Sequence, residues 1–232
     1  MSVTQLSASA QNYLKTVWTL TEWSDAPVTA TVIAERTGFT LSSVSDAVRR
    51  LTEQGFIDHA PYASIALTAT GRAHAVAMVR RHRLIESFLV SVLGYTWDQV
   101  HDEAENLEHA VSDFMVERMD AFLEHPTRDP HGDPIPSADG VVMMPDAVQL
   151  SRVAPGSTVV VERISDGDPA LLKYFEECGI VVDARLSIAA GEPYSDALSV
   201  SVAAQTSPVS LGRAASAALY VSGGTVIDAV VL

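Results

Sequence analysis

The sequence predicts a mainly α protein with β elements: an N-terminal winged helix-turn-helix, a helical middle segment and a small C-terminal β-barrel. Three observations carry that expectation. Residues 1–73 hold three helix-period stretches, a tight turn and a hairpin pattern. Residues 74–125 are helical in period throughout, with more apolar positions than one exposed face each would need. Residues 148–232 change to short β-branched runs around one helical stretch.

The elements follow in order. QNYLKTVWTLTEW places Leu14, Val17 and Trp18 on one face. Pro27 precedes a second helix, VTATVIAERTG, which stops at Gly38, a residue suited to a left-handed cap. LSSVSDAVRRLTEQG begins beside Thr40 as N-cap, carries the stripe Val44, Val48 and Leu51, and ends at Gly55. FIDHAPYASIALTATG reads as two short strands about a turn. The third helix also offers a small polar face, Ser42, Ser43, Ser45 and Asp46, with Arg49 and Arg50 further along. Small hydroxyls let a helix approach base edges, and arginines anchor phosphates.

In the middle segment Gly94 ends one helix and Thr96 caps the next; their apolar excess points to a homodimer interface. PTRDPHGDPIPSADGVVMMPDA, residues 126–147, reads as an extended tether. Beyond it, STVVVERI, VVDARLSI, DALSVSVAA and ALYVS are strand candidates, and LLKYFEECG is a helix ending at Gly179. The expected division is 1–73, 74–147 and 148–232.

No apolar run approaches the roughly 18 residues that span a bilayer, and the N-terminus lacks a secretory pattern. With a single cysteine, Cys178, a reducing cytoplasm is the expected location and no membrane partner is expected. The net charge of −14 argues against nucleic acid as a uniform partner, yet residues 1–73 carry five basic and six acidic side chains, so the acidic excess lies downstream.

The stretch HDEAENLEH, residues 101–109, explains part of that excess. On a helix, His101, Glu105, Glu108 and His109 share one face. Like charges there repel by a few tenths of a kcal/mol per pair, and a divalent cation reverses that cost. His82 and Glu86 form a second i, i+4 pair in RRHRLIESF. Oxygen and imidazole donors without thiolate suit manganese or ferrous iron. The competing reading is a solvated acidic face. His59, His74, His125 and His131 are expected at the surface, and Cys178 as a small core residue.

QNYLKTVW, SSVSDAVRRL, MVRRHRLIESFL, VHDEAENLEH and RDPHGDPIP together resemble the diphtheria-toxin-repressor family of metal-dependent regulators, in particular its manganese-responsive members. The resemblance covers essentially the whole chain. It implies a winged-helix DNA-binding domain, a dimerisation and metal domain, and an SH3-like barrel. It also implies one metal position built from Asn12, Glu105, Glu108 and His109, and a second from His82, Glu86 and His101 with Asp168 added from the third domain; the manganese-responsive members imply the alternative that His82 shares in a binuclear cluster with the first group. Recognition contacts would fall on Thr40, Ser42, Ser43, Ser45 and Asp46. Iron-responsive members have cysteine at Glu105 and methionine at Asn12, so the hard donors here favour manganese. Manganese-responsive members usually have aspartate at Asn12, so asparagine brings an oxygen without its charge.

The expected function is a manganese-dependent repressor of metal-uptake genes, acting as a homodimer on double-stranded operator DNA, with no enzyme activity. Fe²⁺ is the alternative metal, and Zn²⁺, Co²⁺ or Ni²⁺ would substitute in vitro. A di-metal carboxylate enzyme is the rival, but neither Glu86 nor Glu105 has the histidine three residues on that such bundles use. A winged helix gated by an organic ligand is the other rival.

Overall fold

The computed structural model describes residues 6–60, 63–203 and 207–226. They fall into two units: residues 1–85, 105–125 and 135–142 form one, and 86–104, 126–134 and 143–232 the other.

The first unit begins with α1 (Ala8–Glu22), α2 (Ala30–Thr37) and α3 (Leu41–Glu53). Each start is set by a hydroxyl that accepts a backbone N–H: Ser7 from Ala10, Thr29 from Val32 and Thr40 from Ser43. Gly38, at φ 70°, ends α2 and leaves only Gly38–Thr40 between it and α3. Leu14, Ile33 and Val44 are fully buried, and Val48 and Leu51 continue the α3 stripe into the same core. The wing is the antiparallel pair β1 (Ile57–Asp58) and β2 (Ala66–Leu67). Its turn includes residues 61 and 62, which lie outside the described residues.

Helix α4 (Ala69–Leu93) closes this core with Ala75, Val76 and Val79. Its first turn presses on the wing so closely that a Cβ on Gly71 would sit 1.9 Å from the Phe56 carbonyl oxygen. Arg83 grips Glu22 of α1 through two bonds of 2.8 and 2.6 Å. Helices α5 (Trp97–Leu107) and α6 (Asp113–Phe122) follow. The Arg81 guanidinium donates to the carbonyls of Glu108 and Val111 and pairs with Asp113, which fixes the turn after α5. Leu84, Val116 and Ile135 form a small core beside it.

The second unit centres on an antiparallel sheet in the order β3 (Val148–Gln149), β8 (Leu219–Ser222), β4 (Thr158–Ile164), β5 (Arg185–Ala190), β6 (Leu198–Val202) and β7 (Val209–Leu211). Helix α7 (Pro169–Glu177) contributes Leu172 and Phe175 to its core, and α8 (Arg213–Ala217) precedes β8. Cys178 packs at the edge of this core, partly buried. None of the described helices is long and apolar enough to cross a membrane.

The proline-rich stretch departs from the expected tether. Asp129 and residues 131–136 are buried. Asp129 Oδ1 accepts the backbone N–H groups of His131 and Asp133, both at 2.9 Å, and closes a tight turn. That turn docks on β4: Ile164 N–H donates to the His131 carbonyl, and Arg163 Nε donates to Asp133 at 2.7 Å. Gly132 sits at φ 91° with the Glu162 carbonyl oxygen 2.0 Å from where a Cβ would be. Proline and glycine here build a specific turn rather than a loose connector, a distinction that composition does not carry.

Two histidines expected outside are inside. His131 is fully buried, with its ring edge-on to Trp97 at 5.9 Å. His74 is buried on α4 against Phe56 at 5.4 Å, while His125 is exposed as expected and His59 half-buried. Burial pulls the His74 pKa below the ordinary imidazole value. The unfolded chain therefore takes up a proton first as pH falls, and the folded state loses stability from about pH 6.5 downward. Thermal unfolding of metal-free protein between pH 7.5 and 5.5 should show a smaller loss of Tm in His74→Leu than in the parent chain; equal losses would mean that His74 does not contribute.

Candidate metal centre

The sequence places His101, Glu105, Glu108 and His109 on one helix face, but α5 ends at Leu107. Glu108 and His109 occupy the turn that follows, where the N–H groups of Ala110 and Val111 donate to the Leu107 carbonyl. The four residues are thereby divided. Glu105, Glu108 and His109 belong to the first unit, and His101 to the second.

In the first unit, one donor atom from each of His82, Glu105 and Glu108 lies within 4.8 Å of the others. Glu108 is fully buried. Its Oε2 is 2.6 Å from His82 Nδ1, and Lys15 Nζ donates to Oε1 and Oε2 at 2.7 and 2.8 Å. Lys15 also reaches Glu105 Oε1 at 2.5 Å. Burial pushes the Glu108 carboxyl up; the His82 hydrogen bond and the Lys15 charge outweigh it and bring the net pKa below the usual carboxylate value. Glu108 is therefore held ionised.

The His109 ring is held by Gln11. Gln11 Nε2 donates to the Leu6 carbonyl at 3.0 Å, which turns Oε1 toward His109 Nδ1 at 2.7 Å. An oxygen can only accept there, so Nδ1 carries a proton, and in the neutral ring the lone pair is on Nε2. That Nε2 is buried, without a hydrogen-bond partner, 3.6 Å from Glu108 Oε1. Asn12, on α1 beside Gln11 and three residues before Lys15, has its Oδ1 buried and unpartnered as well. An unpartnered imidazole nitrogen near two carboxylates and a second imidazole fits a cation with a preference for oxygen and nitrogen.

In the second unit, Glu86 Oε1 lies 3.3 Å from His101 Nδ1, and Asp166 Oδ2 lies 3.4 Å from the same nitrogen. Burial is the largest influence on the Asp166 carboxyl and pushes its pKa up, but the charges of His101, His131 and Arg163 together outweigh burial and Glu86 and bring it below the usual carboxylate value. The third-segment carboxylate at this cluster is thus Asp166 rather than Asp168. Asp168 is exposed and caps α7, accepting from Ala170 N and Leu171 N at 3.0 and 3.2 Å. The sequence signal was present: aspartate directly before proline and an apolar run is a helix start. Gln11, Lys15 and Asp166 are the residues that sequence reasoning missed. Gln11 and Lys15 are i, i+4 on α1, a pairing that helical spacing alone could have raised.

The nominated recognition positions are all exposed: Thr40, Ser42, Ser43, Ser45, Asp46, Arg49 and Arg50. Thr40 Oγ1 also meets the Ser42 and Ser43 hydroxyls at 3.0 and 2.8 Å. Arg49 pairs along the helix with Asp46 at 3.4 Å and Glu53 at 3.5 Å. These are weak exposed pairs that a phosphate could replace.

Residues 5–65 match the family model "Iron dependent repressor, N-terminal DNA binding domain", residues 68–137 match "Iron dependent repressor, metal binding and dimerisation domain", and residues 148–223 match the FeoA domain. The iron-dependent repressor IdeR of Mycobacterium leprae is 35% identical over 193 residues, covering 78% of this chain and 83% of its own length. The diphtheria toxin repressor of Corynebacterium diphtheriae is 35% identical over 158 residues, covering 67% and 70%. A solved structure described as "Manganese-dependent transcriptional repressor complex with manganese" superposes with a TM-score of 0.88 at 50% identity, covering 92% of this chain and 99% of that one. Fold and site together define a metal-dependent transcriptional repressor, not an enzyme. The chain belongs to the diphtheria-toxin-repressor family, with a winged-helix DNA-binding domain, a helical dimerisation domain and an SH3-like FeoA domain.

Glu108 and Glu105 should behave differently without metal. Glu108→Ala removes two of the three carboxylate oxygens on the buried Lys15 and leaves it only the half-exposed Glu105; it should destabilise metal-free protein by up to about 3–5 kcal/mol. Glu105, half-exposed, should cost less than about 1 kcal/mol. Denaturant titration of both variants checks the order, and similar losses would contradict it.

Proposed function

We propose that this chain is a manganese(II)-responsive repressor that binds double-stranded operator DNA as a homodimer in the cytoplasm and limits metal uptake. The observation that supports the metal reading is the cluster of His82, Glu105 and Glu108, with the buried, unpartnered His109 Nε2 3.6 Å from Glu108 Oε1. Asn12, Glu105, Glu108, His109 and His82 would hold one ion. Glu86, His101 and Asp166 would contribute to a second, with His82 one turn before Glu86 on α4. A bound divalent cation supplies positive charge that oxygens from separate chain segments can share.

The remaining work falls to the chain. Gln11 keeps the His109 lone pair bare, and Arg81 holds the turn that carries Glu108 and His109. Asn12 lies on α1, whose Leu14 packs in one core with Val44 of α3. A ligand on α1 therefore couples the metal to the placement of the recognition helix. In a dimer the relevant quantity is the spacing of two such helices, about 34 Å for adjacent major grooves. By linkage, operator DNA should tighten metal binding.

Manganese is favoured over iron because every donor is oxygen or imidazole, with no sulfur among Asn12, Glu105, Glu108, His109 and His82. Iron(II) is the second reading, favoured by relatives whose names are iron-dependent. Zn²⁺, Co²⁺ and Ni²⁺ should enter in vitro on affinity grounds. Titration of metal-stripped protein with Mn²⁺, reading free ion by electron paramagnetic resonance, should give saturable binding at micromolar concentration. Absence of binding to millimolar Mn²⁺ would remove the manganese reading, and Fe²⁺ is then the titrant that decides. Glu105→Ala should weaken Mn²⁺ binding more than about tenfold, since loss of a supporting residue alone costs about 10–100-fold. It should also abolish metal-dependent operator retention while the chain stays folded.

The dimer should form through α6, where Phe114 is 77% and Phe122 65% exposed on one face. Phe114→Glu with Phe122→Glu should sediment as a monomer and lose operator affinity; a variant that stays dimeric would place the interface elsewhere.

A further inference from the structure

We propose that Lys15 is a built-in counter-ion of the metal-free centre, and that a metal ion gains Glu105 and Glu108 only by displacing it. Lys15 thereby sets the metal concentration at which the protein responds. The proposal rests on the metal-responsive reading above.

The geometry is specific. The ammonium has three N–H donors and meets three carboxylate oxygens: Glu105 Oε1 at 2.5 Å and Glu108 Oε1 and Oε2 at 2.7 and 2.8 Å. Lys15 is only 8% exposed and Glu108 fully buried, so water screens the pair poorly. A lysine drawn into the interior pays a large desolvation cost, and a partnered buried position is the condition under which it is tolerated. Here its partners are the two carboxylates assigned as ligands. Both cations need the same oxygens, and two positive charges held a few ångström apart out of water repel strongly. Occupancy is therefore an exchange.

The charge balance agrees. Two ionised carboxylates with Lys15 leave the cluster with one net negative charge. A divalent ion alone neutralises them, whereas a divalent ion with Lys15 in place leaves an excess positive charge in a buried site. The neutral donors, Asn12 Oδ1 and His109 Nε2, are not engaged by Lys15 and stand unpartnered. The ammonium thus holds the acidic half of the donor set and leaves the neutral half open.

The test compares Mn²⁺ affinity of the metal-stripped full-length chain with Lys15→Met, Lys15→Gln and Lys15→Arg, by electron paramagnetic resonance of free Mn²⁺. Met and Gln keep most of the stem and remove the charge; they should bind at least about fivefold tighter, the lower range for coupled sites. Arg keeps the charge and should stay near the parent affinity. Thermal unfolding should show the converse, with Lys15→Met less stable than the parent without metal and gaining more on Mn²⁺ addition. If one neutral variant fails to fold without metal, the other supplies the comparison. Parent binding with no tightening in the neutral variants overturns the Lys15 assignment and leaves the metal reading standing. No Mn²⁺ binding by any chain overturns both. Binding by the neutral variants alone supports the exchange in its strongest form.

Discussion

A carboxylate buried beyond the reach of water is the constraint on which the site depends. Glu108 is fully excluded from solvent yet held ionised, so its neighbours must supply what water would have supplied. That need fixes His82 on α4 and Lys15 on α1 against the turn after α5. It also explains Arg81, which uses its guanidinium on the backbone of the same turn rather than on Glu108 itself. A buried ion pair adds little net stability compared with an apolar core. What it does here is join three segments, α1 through Lys15, α4 through His82 and the turn after α5 through Glu108.

The same economy bears on metal choice. Sulfur ligands would let a soft ion dominate through bond strength. Oxygen and imidazole donors leave discrimination to ligand number, charge and geometry. Asn12 keeps the oxygen of a carboxylate without its charge, so the centre is less acidic than an aspartate there would make it.

Much of this was legible in the sequence. The α3 stripe, the Gly38 cap and the His82/Glu86 pair follow from period and cap chemistry, which are local. The stretches that depend on distant contacts were not legible. Residues 129–136 read as a tether because proline and glycine mark turns without saying whether a turn is docked on β4. His131 appeared to be a surface residue because no periodic pattern surrounds it, and its burial comes from Trp97 and the docked turn. Asp166 and Asp168 differ by two positions in one loop; only the capping of α7 separates their roles. Lys15 was passed over because a single base on an amphipathic helix is normally solvated, and nothing nearby in sequence shows that Glu108 waits across the fold.

Because Lys15 rides on the backbone, the ion that competes with metal cannot be diluted or washed away. Its local concentration is set by a four-carbon stem rather than by the surroundings, as for any linked binding partner. Buffer cations and protein concentration therefore have little hold on the balance, and one residue that need not be a ligand becomes a dial for sensitivity. Relatives could share the ligand set and still respond at different metal levels through this position alone.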